Sequence, residues 1–259
     1  MIGTLEHIAI RVPAGAWDAA VADLATMLGH TAERPDTCCA RFQLANMALL
    51  IEPGGEPGTT ATGLSRLAFN CPDLARAERV LSRRAVAFER TRDGLAVSPA
   101  SSHGVPVLIG ARPAAAASAP ADPAAVAGLD HVVIRTPNPE RAVAFWAGRL
   151  GLDLRLDRSN ADWGARLLFF VCGDLVVEIA HDLKQGVSDG PDTLWGLSWR
   201  AADIARLHAR MAGAGVAVSE LRKGRRPNTQ VFTVKSHTGG VPTLVIGGDG
   251  LARRGGETA

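Results

Sequence analysis

Long apolar runs, strong charge of either sign and CxxC-spaced cysteine pairs are missing from this 259-residue chain. No apolar stretch approaches the roughly 20 residues that a membrane helix needs, so no helical span is expected. The 28 lysines and arginines stand against 26 aspartates and glutamates, a net charge of +2. That balance lacks the strongly basic face of a nucleic-acid binder. The basic run Arg222-Lys223-Gly224-Arg225-Arg226 is short. It reads as a solvated loop or as a contact for an anionic partner. Met1-Ile2-Gly3-Thr4 shows no signal-peptide pattern. Cys38, Cys39, Cys71 and Cys172 show no CxxC spacing, so reduced thiols and a cytoplasmic location are expected. No GxSxG, P-loop or GxGxxG occurs in a strand–helix context, which leaves acyl transfer and nucleotide chemistry without support.

What the chain does have is repetition. Leu129-Asp130-His131-Val132-Val133-Ile134-Arg135-Thr136-Pro137 has a twin, Leu5-Glu6-His7-Ile8-Ala9-Ile10-Arg11-Val12-Pro13, and the two histidines lie 124 residues apart. Each stretch opens a strand, a turn and a helix. In the first half Trp17, Val21, Leu24 and Leu28 fall at helical spacing and Gly29 closes the helix. Short strands follow near 41–44 and 48–52, with a further one around 31–35. The layout then recurs from Leu64, with Asp73 placed to cap a helix. It recurs again from Leu129 and from Leu194, where Asp203 is the cap and 216–221, 230–234 and 242–246 are read as strands. A period of 50 to 65 residues is thus seen four times. Residues 111–127 are rich in alanine and proline and read as a semi-extended linker. The expected organisation is a first domain at 1–112, a linker at 113–127, a second domain at 128–248 and a polar tail at 249–259.

Four β-α-β-β-β units in two pairs, with LDHVVIRTPNPERAVAFWAGRLGL followed by LLFFVCGDLVVEIAH, resemble the vicinal oxygen chelate superfamily. That group includes glyoxalase I, bleomycin-resistance proteins, fosfomycin-resistance enzymes and extradiol dioxygenases. The resemblance implies an α+β fold in which paired units form two half-barrel cups. It implies a divalent metal on the inner wall of a cup, acting as a Lewis acid on a substrate with neighbouring oxygens.

Matched position by position, the first-strand ligand is His131, and His7 in the first half. The fourth-strand carboxylate is Glu178, and Glu52 in the first half. The third ligand position falls on Arg66 and Gly196, and the last on Leu108 and Leu244, none of which ligates a metal. His181 and His237 are candidate extra ligands, although His181 would point away from Glu178 on a regular strand. Trp195, Trp199 and Arg66 are candidate substrate contacts. Arg200 is expected to be solvated, His208 to lie at the surface, and Glu140, Arg141 and Arg149 to be exposed helix charges. Three readings stay open for His131 with Glu178: metal ligands, a hydrogen-bonded pair inside the cup, or an acid–base pair without metal. The expectation for the whole chain is a metal-assisted enzyme acting on a small oxygenated substrate. The alternative is a metal-free protein that sequesters a small molecule. Either would be a monomer or homodimer, without nucleic-acid or membrane partners.

Overall fold

The computed structural model describes residues 2–54, 62–111, 120 and 122–251. Most of the alanine/proline linker and residues 252–259 of the tail lie outside the described residues.

The repeated pattern becomes four modules. The first is β1 (Leu5–Val12), α1 (Trp17–Leu28), β2 (Glu33–Asp36), β3 (Cys39–Gln43) and β4 (Ala48–Pro53). The second is β5 (Gly63–Asn70), α2 (Leu74–Arg83), β6 (Phe88–Thr91), β7 (Gly94–Val97) and β8 (Val107–Gly110). The third is β9 (Val126–Arg135), α3 (Pro139–Val143), β10 (Asp153–Asn160), β11 (Ala165–Cys172) and β12 (Leu175–Asp182). The fourth is β13 (Thr193–Ala201), α4 (Ile204–Gly213), β14 (Arg222–Lys223), β15 (Gln230–Val234) and β16 (Thr243–Gly247). Two mixed eight-stranded sheets result, in the orders β2-β3-β4-β1-β5-β8-β7-β6 and β10-β11-β12-β9-β13-β16-β15-β14. This is the α+β architecture of two half-barrels.

Local chemistry sets the element ends. Gly29 takes the left-handed conformation (φ 73°) and its N–H donates to Ala25 O, closing α1. Asp73 and Asp203 cap α2 and α4 by accepting backbone N–H groups of the first turn. α3 continues as a π-helical turn over Ala144–Arg149. Two sequence expectations fail in detail. The opening strand of the third module starts at Val126, inside the stretch read as linker. Residues 216–221 do not form a strand; only Val218 bridges to Val234, and pairing resumes at the two-residue β14.

The chain gathers into two compact units. One comprises Met1–His7, Arg66–Ala114 and His131–Trp195, the other Ile8–Ser65, Ala115–Asp130 and Gly196–Ala259. In the first unit, Phe69 packs on Trp146 at 6.2 Å between ring centroids, and Phe145 meets Trp146 edge-on at 5.3 Å. In the second, Trp17 Nε1–H donates to Ile51 O at 3.0 Å. Arg210 on α4 donates to Thr26 O, Met27 O and Ala124 O, satisfying carbonyls at the end of α1. His208, expected at the surface, is half-buried: its Nε2 lies 2.9 Å from Ser219 O and its ring stands edge-on to Phe232.

Candidate active site

The site is built on the first unit's stretch of the second sheet. Parallel pairing of β12 with β9 sets Val176 beside His131 and Glu178 beside Val133. Antiparallel pairing of β11 with β12 sets Phe169 across from Glu178 and Leu167 across from Ala180. β10 continues the rows, with Leu156 across from Phe169 and Arg158 across from Leu167. Lateral partners share a face, and so do alternate residues along a strand. His131, Glu178, Phe169 and Leu156 therefore lie on one face. The residues between them point the other way: Val132, Ile134, Val177 and Ile179 are all 0% exposed. The buried face is covered, and the face carrying His131 and Glu178 is partly open.

On that face His131 Nε2 lies 3.5 Å from Glu178 Oε2, with both side chains 15% exposed. Their neighbours Val133, Val176 and Phe169 are apolar. Low local polarity strengthens an interaction between such groups. At one margin Arg135 places its guanidinium over the exposed Trp195 ring, 4.3 Å from the centroid. Arg158 does the same over Trp163, at 4.8 Å.

The other candidates lie elsewhere. His181 is on the opposite face of β12, 5% exposed, with Nδ1 3.1 Å from Thr136 O. His237 has a left-handed backbone (φ 62°); its Nδ1 lies 2.8 Å from Ser236 Oγ and its Nε2 3.5 Å from Asp23 Oδ1. His7 is 8% exposed and stands 3.6 Å from Glu6, while Glu52 contacts Arg11 at 3.9 Å. Arg66 is half-buried on β5. Trp199 is 1% exposed and sits in the core. Leu108 is buried and Leu244 half-buried.

Gly196 occupies the position where the resemblance puts a third ligand. A Cβ there would lie 2.8 Å from Pro242 O, so the backbone has closed over the space a ligating side chain would need. Among the described residues, no group of three or more His, Cys, Asp or Glu side chains is arranged to hold a metal ion. The donors present therefore do not fit a metal held by protein ligands alone, which needs three or more of them.

Two charge expectations are corrected. Arg200, expected to be solvated, reaches Asp130 at 3.5 Å, and Arg226 reaches the same buried carboxylate at 3.1 Å. Arg141, expected to be an exposed helix charge, donates to Asp192 Oδ1 at 2.8 Å and to the carbonyls of Asp189 and Gly190. Glu140 is exposed as expected and pairs with Arg166. Burial pushes the Cys172 thiol up to about 12, which fits a core residue and not a nucleophile. Sequence reasoning missed Arg135. The available signal was its place four residues after His131 on a two-residue alternation.

Residues 130–233 match the sequence profile of the Glyoxalase/Bleomycin resistance protein/Dioxygenase superfamily. No characterised protein matches the chain by sequence comparison. Among solved structures, the Mn(II)-bound glyoxalase from Novosphingobium aromaticivorans superposes with a TM-score of 0.72 at 15% identity, covering 95% of this chain and 82% of that one. The 2,2',3-trihydroxybiphenyl 1,2-dioxygenase of Sphingomonas wittichii strain RW1 superposes with a TM-score of 0.70 at 15% identity, covering 96% and 91%. A variant of 4-hydroxymandelate synthase from Streptomyces coelicolor gives 0.70 at 12% identity, covering 96% and 93%. At these identities the likeness is one of fold. Residues 130–233 thus carry the sequence signature of the glyoxalase, bleomycin-resistance and dioxygenase superfamily, and the chain as a whole has the vicinal oxygen chelate fold.

Proposed function

We propose that His131 and Glu178 are the reactive pair of a small-molecule site, transferring a proton on a substrate with neighbouring oxygens, such as an α-hydroxy or α-keto carbonyl compound. The observation that supports this is the 3.5 Å approach of His131 Nε2 to Glu178 Oε2 beside the apolar Val133, Val176 and Phe169. The Glu178 carboxylate beside the ring stabilises the imidazolium that forms when His131 accepts a proton. The apolar neighbours lower the local polarity and so strengthen the pairing. For the metal-assisted form of the reaction His131 and Glu178 are two donors, and among the described residues no third His, Cys, Asp or Glu is grouped with them to hold a metal ion. We propose further that the site belongs to a domain at 128–248, that Trp195 borders it, and that the protein acts on small molecules in the cytoplasm as a monomer or homodimer.

The test is solvent deuterium wash-in at the carbon beside the carbonyl, followed by NMR across a panel of α-hydroxy and α-keto compounds, once with a chelator present and once with added divalent metal in its place. Exchange that survives the chelator and disappears in His131→Ala supports the dyad. Exchange that requires added metal, or that persists in His131→Ala, overturns it. The apolar neighbours favour a second reading, a metal-free sequestering protein. Saturable binding of panel members without any exchange would support that reading.

A further inference from the structure

The row beside the Glu178 row has an unusual composition. Arg158, Leu167, Ala180 and Arg135 are successive lateral partners across β10, β11, β12 and β9. Its middle is apolar and its two ends are cationic. The end strands are three strand spacings apart, about 14 Å along the sheet. Each arginine is exposed and lies over an exposed tryptophan, Arg135 over Trp195 and Arg158 over Trp163. Among the described residues neither arginine forms an ion pair.

The ends are not equivalent. β10 is the edge strand, whereas β9 is an interior strand next to the one that carries Glu178. Arg135 is the lateral partner of Ala180, and Val133, two residues before it, is the partner of Glu178. Arg135 thus stands one side-chain position from the reactive pair on the same face. Stacking on Trp195 pre-organises its planar guanidinium, so less freedom is lost when the fork closes on an anion. The stack also exposes an apolar ring beside the charge.

We propose that Arg135, held on Trp195, is the anion anchor of this site, and that the ligand class is small carboxylates with a flat apolar body. The carboxylate meets the Arg135 fork in a bidentate pair, and the body lies over Ala180 and Val133 toward Glu178. This rests on the reading of His131 and Glu178 as the reactive pair. It adds the specificity element which that reading lacks.

Benzoate is the probe and its uncharged counterpart benzamide the control. Binding is followed by the indole N–H signals in NMR, assigned with Trp195→Phe and Trp163→Phe variants. Benzoate is expected to shift the Trp195 signal saturably, with benzamide at least about tenfold weaker. Arg135→Gln is expected to weaken benzoate by about tenfold or more, a difference of about 1.4 kcal/mol. Arg158→Gln removes the same charge from the far end of the row and is expected to leave benzoate binding within about twofold. Equal binding of benzamide, no saturable shift at Trp195, or an equal loss in Arg158→Gln and Arg135→Gln would overturn the assignment. His131→Ala separates the two proposals: it abolishes proton transfer if the dyad is right and leaves the Trp195 shift in place if the anchor is right.

Discussion

Glu178 and His181 lie on one strand, three residues apart, and face opposite ways: Glu178 meets His131, and His181 meets the carbonyl of Thr136. The β11–β12 register runs without a shift from Ala165 to Cys172, so no bulge turns His181 toward Glu178. His181 is a structural residue whose imidazole satisfies a backbone carbonyl where the chain leaves β9. Nearby, Thr136 Oγ1 donates to Asp192 Oδ1, which Arg141 also holds. Replacing His181 with Phe strands the Thr136 carbonyl, at a cost of about 1–3 kcal/mol. Urea denaturation should show that loss, while benzoate binding at Trp195 stays intact. Unchanged stability would mean that the carbonyl finds another partner.

Gly196 offers a sharper separation of ancestry from capacity. The resemblance places a metal ligand at this position. The 2.8 Å approach of a Cβ to Pro242 O argues otherwise. Gly196→His should force β13 away from the segment before β16 and destabilise the fold by about 1–3 kcal/mol or more. Gly196→Ala carries the same Cβ and should show much of the same loss. Thermal unfolding and zinc titration of both variants check this. A Gly196→His protein as stable as the parent, with a new tight zinc site, would refute it.

Much of this arrangement was legible in the sequence because it depends on short-range periodicity. The two-residue alternation of β9 and β12 predicts which residues share a face, and the repeated pattern shows that the two strands belong to one module. His131 and Glu178 meet for those reasons. Gly29, Asp73 and Asp203 were legible because a helix end needs a particular residue type whatever surrounds it. Long side chains were not legible. Arg141, Arg200 and Arg226 reach carboxylates between 48 and 96 residues away in sequence or the carbonyls beside them, and no local pattern encodes such partners. The stretch 216–221 misled for a related reason. Its β-favouring residues have only a single bridge to Val234, and strand propensity without a partner does not make a strand.

Cys172 supplies a pH prediction whose sign follows from burial. Desolvation is the largest cause of its rise from 9.0 to about 12; the charge of Asp174 adds to it and a hydrogen bond from the Leu5 backbone opposes it. Between those values the unfolded chain has lost the thiol proton and the folded chain keeps it. The group therefore makes no difference to stability below pH 9, and stability falls as pH rises from 9 toward 12, with a limiting slope of about 1.4 kcal/mol per pH unit. The chain contains no tyrosine, so no phenol titrates in the same window. Denaturation from pH 8 to 11 should show a shallower decline in Cys172→Ala than in the parent. Parallel declines would mean that the buried thiol does not drive the loss.

The reactive pair makes the strictest prediction, because its two members have different duties. Removing the imidazole with His131→Ala takes away the base itself and should abolish exchange above the background of the solution. Glu178→Gln keeps the imidazole and the shape of the side chain but removes the charge that stabilises the imidazolium. Loss of a positioned acid–base partner lowers rates by about 10² to 10⁴. The Gln variant should lie in that range and above His131→Ala, with the fall in kcat and with KM close to the parent. The anion anchor divides the other way: Arg135→Gln should raise KM for carboxylate substrates and leave neutral ones unaffected. Measuring deuterium exchange for the three variants on one acidic and one neutral substrate fills all six cells of this comparison. A Glu178→Gln protein as fast as the parent would remove Glu178 from the chemistry and reduce the 3.5 Å contact to packing.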